Sequence, residues 1–220
     1  MSSVPNEFRI KWPPKETWTD ATREVQSFWG EPNSWEEGSK TNIIQIMANH
    51  PPLALAWSHY GKYFMTGHTL SNRQLEFVVL RVAKLVNSAY EWHNHVGYAI
   101  TAGITLEEIA QIRDFPEAPN EFTEEERAIL STCDELIGGN NVTDATWETL
   151  KKTLSQEQMM DLVMLVGNYV MTSWAISAFG VPIEGGADAI GFDLKTKSGK
   201  TPGVTYRPGE HEDWIETRGY

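Results

Sequence analysis

Residues 71–105 read SNRQLEFVVLRVAKLVNSAYEWHNHVGYAITAGIT, two helix patterns separated by a short break. Ser71 with Gln74 forms a capping box, in which the hydroxyl takes an N-terminal amide and the side chain three residues on reaches back. The helix it opens carries Leu75, Phe77, Val78, Val79, Leu80, Val82, Leu85 and Val86. A helix apolar almost all round belongs in the middle of a bundle. Glu76 interrupts that surface, so its carboxylate must reach solvent or be paired. Arg73, one turn earlier on the same face, is its ordinary partner. Arg81 lies about 140° around the axis from Glu76 and points into a pocket or to a neighbouring helix.

Outward from this stretch the same punctuation repeats. Thr105 with Glu108, Thr123 with Glu126 and Ser155 with Gln158 are further capping boxes, while Gly103, Gly138-Gly139 and Gly180 followed by Pro182 mark stops. Helices are expected at about 17–28, 41–48, 52–66, 72–86, 89–102, 106–113, 124–137, 144–153 and 156–179. No alternating apolar run is long enough for a strand, so the chain reads as all-α.

The 220 residues suit one globular unit with extensions, and the 40% hydrophobic content is ordinary. A net charge of −12 without clustered Lys and Arg excludes a nucleic-acid partner. Cys133, the one cysteine, excludes an internal disulfide and a dithiol cycle within one chain. The N-terminus has no apolar leader core, and no run approaches the ~18 apolar residues of a membrane span. A cytoplasmic protein without membrane partners is expected. Nine tryptophans line a pocket or fill a core or subunit interface.

In the second half of the opening stretch, Ser88, Glu91, His95 and Tyr98 stand at i, i+3, i+7 and i+10 and share one helix face, so Glu91 and His95 can meet. His93 is about 200° from His95, which removes His-x-His as a metal pair. A di-iron reading fails too, because it needs two Glu-x-x-His motifs on separate helices. Ser88-x-x-Glu91 is itself a capping box, leaving Glu91 both a structural and a chemical reading. His50, His59 and His68 lack a partner at useful spacing. Tyr60 and Tyr63 line the pocket or pack in the core.

The stretch resembles the carboxymuconolactone decarboxylase and alkyl hydroperoxidase D superfamily, whose peroxidase branch has a Glu, a Cys-x-x-Cys pair and then a His. On that frame Glu76 matches the glutamate, Ser88 and Glu91 fall at the cysteine positions, and His95 matches the histidine. Tyr90-Glu91-Trp92 followed by His95 resembles the wording of the decarboxylase branch. Leu162 to Val181 (LVMLVGNYVMTSWAISAFGV) resembles its last core helix. The likeness runs roughly from Asn42 to Glu184, giving an N-terminal extension (1–40), a helical domain (41–184) and an irregular tail (185–220).

The resemblance implies a homo-oligomer, trimer or hexamer, and a cofactor-free decarboxylase acting on a lactone or β-keto-type carboxylic acid of aromatic or polyketide metabolism. Such chemistry needs a donor to the carbonyl oxygen, an acid for the carbon and an anchor for the carboxylate. His95, Glu76 and Glu91 fit the catalytic roles; Arg73, Arg81, Ser88 and Tyr98 fit substrate binding. No metal or other cofactor is expected. The same residues suit a cofactor-independent isomerase or dehydratase, and a non-catalytic binding oligomer is the third reading. A thiol peroxidase is disfavoured, because Ser88 and Glu91 cannot form a mixed disulfide.

Overall fold

A computed structural model describes residues 8–117 and 121–184, so the tail expected to be irregular lies outside the described residues. Among the described residues there are ten α-helices, one short 3-10 helix and no strand. The all-α expectation holds. The chain divides into two compact units, one comprising residues 8–67 and 175–184 and the other 68–117 and 121–174 among those described. The boundary placed at residue 41 from the sequence falls inside the first.

The first unit holds a 3-10 turn (Lys15–Thr17), α1 (Asp20–Ser27), α2 (Ser34–Glu37), α3 (Asn42–Met47) and α4 (Pro51–Thr66). α1 starts later than its apolar pattern suggests because Thr19 caps it. The Thr19 hydroxyl accepts from the Thr22 amide at 3.2 Å, and Thr22 returns the bond in place of the usual Glu or Gln. The single turn α2 was not legible. It is bracketed by Asn33 in the left-handed region (φ 61°) and by Gly38 (φ 92°), where a Cβ would sit 2.8 Å from the Trp18 ring. His50 caps α4, its ring accepting from the Leu53 amide at 3.3 Å, and His59 packs edge-on against Phe28. Tyr60 and Tyr63 both pack against Phe64. Asn42 donates to the Glu184 carboxylate and to the Pro182 carbonyl, fixing the last described residues to the start of α3.

The second unit contains α5 (Asn72–Leu85), α6 (Ala89–Thr101), α7 (Leu106–Asp114), α8 (Glu124–Gly139), α9 (Asp144–Leu150) and α10 (Gln156–Phe179) as far as Trp174. α5 packs against α6, α7 and α8. Every residue from Leu75 to Ala83 is buried, as its all-round apolarity requires. The four capping boxes read from the sequence all form, at Ser71, Thr105, Thr123 and Ser155. Gly138-Gly139 does not stop α8, which runs on to Asn140 in the left-handed region (φ 59°).

α10 corrects one expectation. It has 24 residues and is, by length and composition, apolar enough to cross a membrane. It carries Asp161, Asn168, Thr172 and Ser173 on buried positions. Asp161 accepts from both the amide and the hydroxyl of Thr69, at 2.7 and 2.8 Å. A buried carboxylate paired in this way suits a helix packed in protein better than one facing lipid.

Candidate active site

α5 and α6 bring Glu76 and His95 together across nineteen residues of sequence. Nδ1 of His95 lies 2.9 Å from Oε2 of Glu76. On the other side of the ring, Nε2 lies 3.6 Å from Oε2 of Glu91, one turn earlier on α6. The side chains of Glu76, Glu91 and His95 are 4%, 7% and 11% exposed. One imidazole therefore sits between two carboxylates in a nearly dry setting.

The local folding explains how Glu91 is released for this position. Ser88 caps α6, its hydroxyl accepting from the Glu91 amide. The reciprocal half of the box is missing. The Ser88 amide donates instead to the Ala83 carbonyl at 2.8 Å, closing the break after α5. In the complete boxes at Thr19, Ser71, Thr105, Thr123 and Ser155, by contrast, the N3 side chain takes the cap's amide. Ser88 is thus a cap at the edge of the site, and the carboxylate of Glu91 is turned to His95.

Two rings fix the imidazole plane. Tyr98, on the face expected from the sequence, meets His95 edge-on with centroids 5.4 Å apart. Tyr169 of α10 does so at 5.1 Å and 90°. The sequence reading missed Tyr169 because it lies 74 positions away on a helix read only as core; nothing in the local spacing signals it.

Neither arginine reaches the Glu76–His95 pair. Arg73 is not the partner of Glu76. Its Nε donates to Glu126 at 2.8 Å, its terminal nitrogens to Glu108 and the Gly103 carbonyl, and its guanidinium stacks over Phe77. These bonds tie α5 to the starts of α7 and α8. They also set the charge there: burial pushes the Glu108 carboxyl up, but hydrogen bonds from Arg73 and Thr105 outweigh it and hold it below the ordinary range. Arg81 makes a fork to Asp134, at 2.6 and 2.9 Å, and donates to the carbonyls of Ile112 and Arg113. Both guanidiniums, expected from helix position to anchor substrate, are held by acidic residues of α7 and α8 that only folding brings near.

Cys133 lies fully buried on α8, its Sγ 3.4 Å from the Ile129 carbonyl. Burial, with the adjacent Asp134 charge, pushes its thiol far up, so it is not a thiolate at ordinary pH.

Chemically, a neutral His95 donating Nδ1–H to Glu76 presents Nε2 as a base, and Glu76 stabilises the imidazolium formed when that base takes a proton. Glu91, beside Nε2, is placed to pass a proton on.

Comparison with known proteins bears on the fold and on the central part of the chain. Residues 51–132, less than half of the chain, match the carboxymuconolactone decarboxylase family and include Glu76, Glu91 and His95. No curated protein matches. Among solved structures, an uncharacterised peroxidase-related protein from Ralstonia eutropha JMP134, described as an alkylhydroperoxidase AhpD core, superposes with a TM-score of 0.65 at 15% identity, over 84% of this chain and 95% of that one. An uncharacterised peroxidase-related protein from Silicibacter sp. TM1040 gives 0.65 at 15% identity, over 85% and 99%. A protein of unknown function from Agrobacterium tumefaciens, named for AhpD antioxidant defence, gives 0.56 at 22%, over 60% and 91%. At these identities the structures show the fold. Residues 51–132 are thus similar to the carboxymuconolactone decarboxylase family, and the fold is the all-α fold of these AhpD-like structures.

Proposed function

We propose that the protein is a cofactor-independent acid–base enzyme acting on a small carbonyl compound. The observation that carries this reading is the buried contact of His95 with Glu76 on one ring nitrogen and its approach to Glu91 on the other. His95 takes a proton from the carbon next to the carbonyl, the electron pair moves onto the carbonyl oxygen, and the proton returns at the same or another carbon. That sequence is an isomerisation, or a dehydration where a hydroxyl leaves. Decarboxylation of a lactone or β-keto-type acid is the second reading, favoured by the family match, with His95 protonating the carbon that carbon dioxide leaves. It needs an anchor for the carboxylate, and both arginines of α5 are committed elsewhere.

The peroxidase-related names of two structural neighbours do not carry over. A thiol cycle needs a reactive cysteine, whereas Ser88 and Glu91 stand at the family's cysteine positions and Cys133 is buried and protonated. The test is a screen of lactones, β-keto acids and enolisable ketones for carbon dioxide release and for deuterium uptake from heavy water, run on wild type and His95→Ala. Activity that survives in a folded His95→Ala variant ends the reading.

Self-association, expected from the family resemblance, has support in α10. Met160, Met164, Met171 and Trp174, at heptad-like spacing on its outer face, are 45–67% exposed. Sedimentation as a monomer at micromolar concentration would count against an oligomer.

A further inference from the structure

We infer that the outer face of α10 is a two-fold seam: a second copy of this chain docks there, its α10 running antiparallel to the first and crossing it at Gly167. This rests on the self-association proposed above and is independent of the acid–base chemistry.

Met160, Met164, Gly167, Met171 and Trp174 recur at intervals of four, three, four and three residues. At 100° per residue they all fall within about 80° of one face of the helix. All five are exposed in the single chain. This alternation of four and three is the spacing by which one helix meets another, and a continuous apolar seam marks an interaction surface where scattered apolar residues do not.

The glycine at the centre of the seam has no use in the single chain. Gly167 lies inside a regular helix, where glycine costs stability, and a Cβ built on it would meet no packed atom within 4 Å among the described residues. A second helix gives it a use. The distance between two packed helices depends on the side chains at their contact, and a glycine at the crossing lets the backbones approach closely.

The spacing also says which helix. Met160 lies seven residues before Gly167 and Trp174 seven after, while Met164 lies three before and Met171 four after. Reversed about Gly167, the pattern falls on itself, as the self-complementary patch of a two-fold interface must. Met160 then meets the partner's Trp174, and Met164 meets the partner's Met171, each pairing occurring twice.

Charge selects the same occupant. Between Gln158 and Phe179 the one charged residue is Asp161, which is buried against Thr69. Two chains of net charge −12 repel each other, and an uncharged face is where they can meet. A lipid surface fits poorly, because a helix lying on a membrane carries Lys and Arg along its polar face, and α10 has neither.

The test uses the full chain. Under mild oxidation Gly167→Cys is expected to give a disulfide-linked dimer, because the two copies of position 167 face each other within disulfide reach. Met160→Cys and Trp174→Cys, each alone, should stay largely uncrosslinked, their copies lying about 21 Å apart along the seam. The two combined in one chain should crosslink. Native Cys133 is fully buried and stays out of the reaction. In sedimentation velocity, Met171→Glu, which buries an unpaired charge in the seam, is expected to weaken association at least about tenfold. Gly167→Gln, which crowds the crossing, should weaken it at least about fivefold, with circular dichroism unchanged in both variants. An uncrosslinked Gly167→Cys, or Met160→Cys crosslinking as readily, overturns the pairing. So does a wild-type assembly that survives both substitutions, or a trimer, which holds no two-fold axis; either leaves self-association standing by another face. A wild type that sediments as a monomer at micromolar concentration overturns both.

Discussion

Nδ1 of His95 on α6 stands 2.9 Å from Oε2 of Glu76 on α5, and both side chains are buried. Each helix is held in place by its own cap, Ser71 for α5 and Ser88 for α6. The caps fix where each helix starts, and with it the positions on α5 and α6 from which the two side chains meet.

His95→Ala is expected to lower turnover by about 10²- to 10⁴-fold, the usual loss when general acid–base catalysis is removed. Glu76→Gln should impair the same step. The double variant should lose little beyond the worse single one, because the two act as a unit. Steady-state rates on any substrate from the screen, with circular dichroism to confirm folding, check this; fully additive losses would refute joint action.

Glu91→Gln separates the cap from the chemistry. Because the Ser88 amide is taken by the Ala83 carbonyl, the Glu91 carboxylate has no capping bond to lose. The substitution should change thermal stability little and lower turnover clearly. Ser88→Ala should do the reverse in part, costing about 1 kcal/mol through the lost cap. Paired melting curves and rates decide between these patterns.

Arg81→Met is predicted to destabilise the fold by about 2–4 kcal/mol. It leaves Asp134 and two backbone carbonyls without their donor, and the range sits slightly below that for fully buried pairs because Asp134 is 27% exposed. Urea denaturation measures it. A variant as stable as wild type with a raised KM would restore Arg81 to substrate binding.

Cys133 gives a pH prediction. Its folded-state thiol is pushed up by burial, so between the unfolded thiol value, about 8.5, and the higher folded value the unfolded chain binds fewer protons. Its contribution to stability is therefore fully present below about pH 8.5 and declines as pH rises further. Cys133→Ala should flatten that alkaline decline and leave turnover largely intact. In the native protein the thiol should resist iodoacetamide; rapid labelling at pH 7.5 would contradict the burial.

Helix content, the central place of α5, the capping boxes at Ser71, Thr105, Thr123 and Ser155 and the facing of Glu91 and His95 were all legible in the sequence. Each depends on residues within two turns of one another, where 3.6 residues per turn fixes who meets whom. Single-residue backbone effects were not, as at α2 between Asn33 and Gly38, where a left-handed turn and the Trp18 ring decide the conformation. Nor were the partners of long side chains. Arg73 shares a face with Glu76 on its own helix, yet its guanidinium goes to Glu108 and Glu126 on α7 and α8. Tertiary packing alone decided that Glu76 is left for His95, that Tyr169 closes on the imidazole, and that the Ser173 hydroxyl is buried without a hydrogen-bond partner among the described residues. Local periodicity sets direction around one helix axis; which charges and rings lie across the interface is set by how the helices pack.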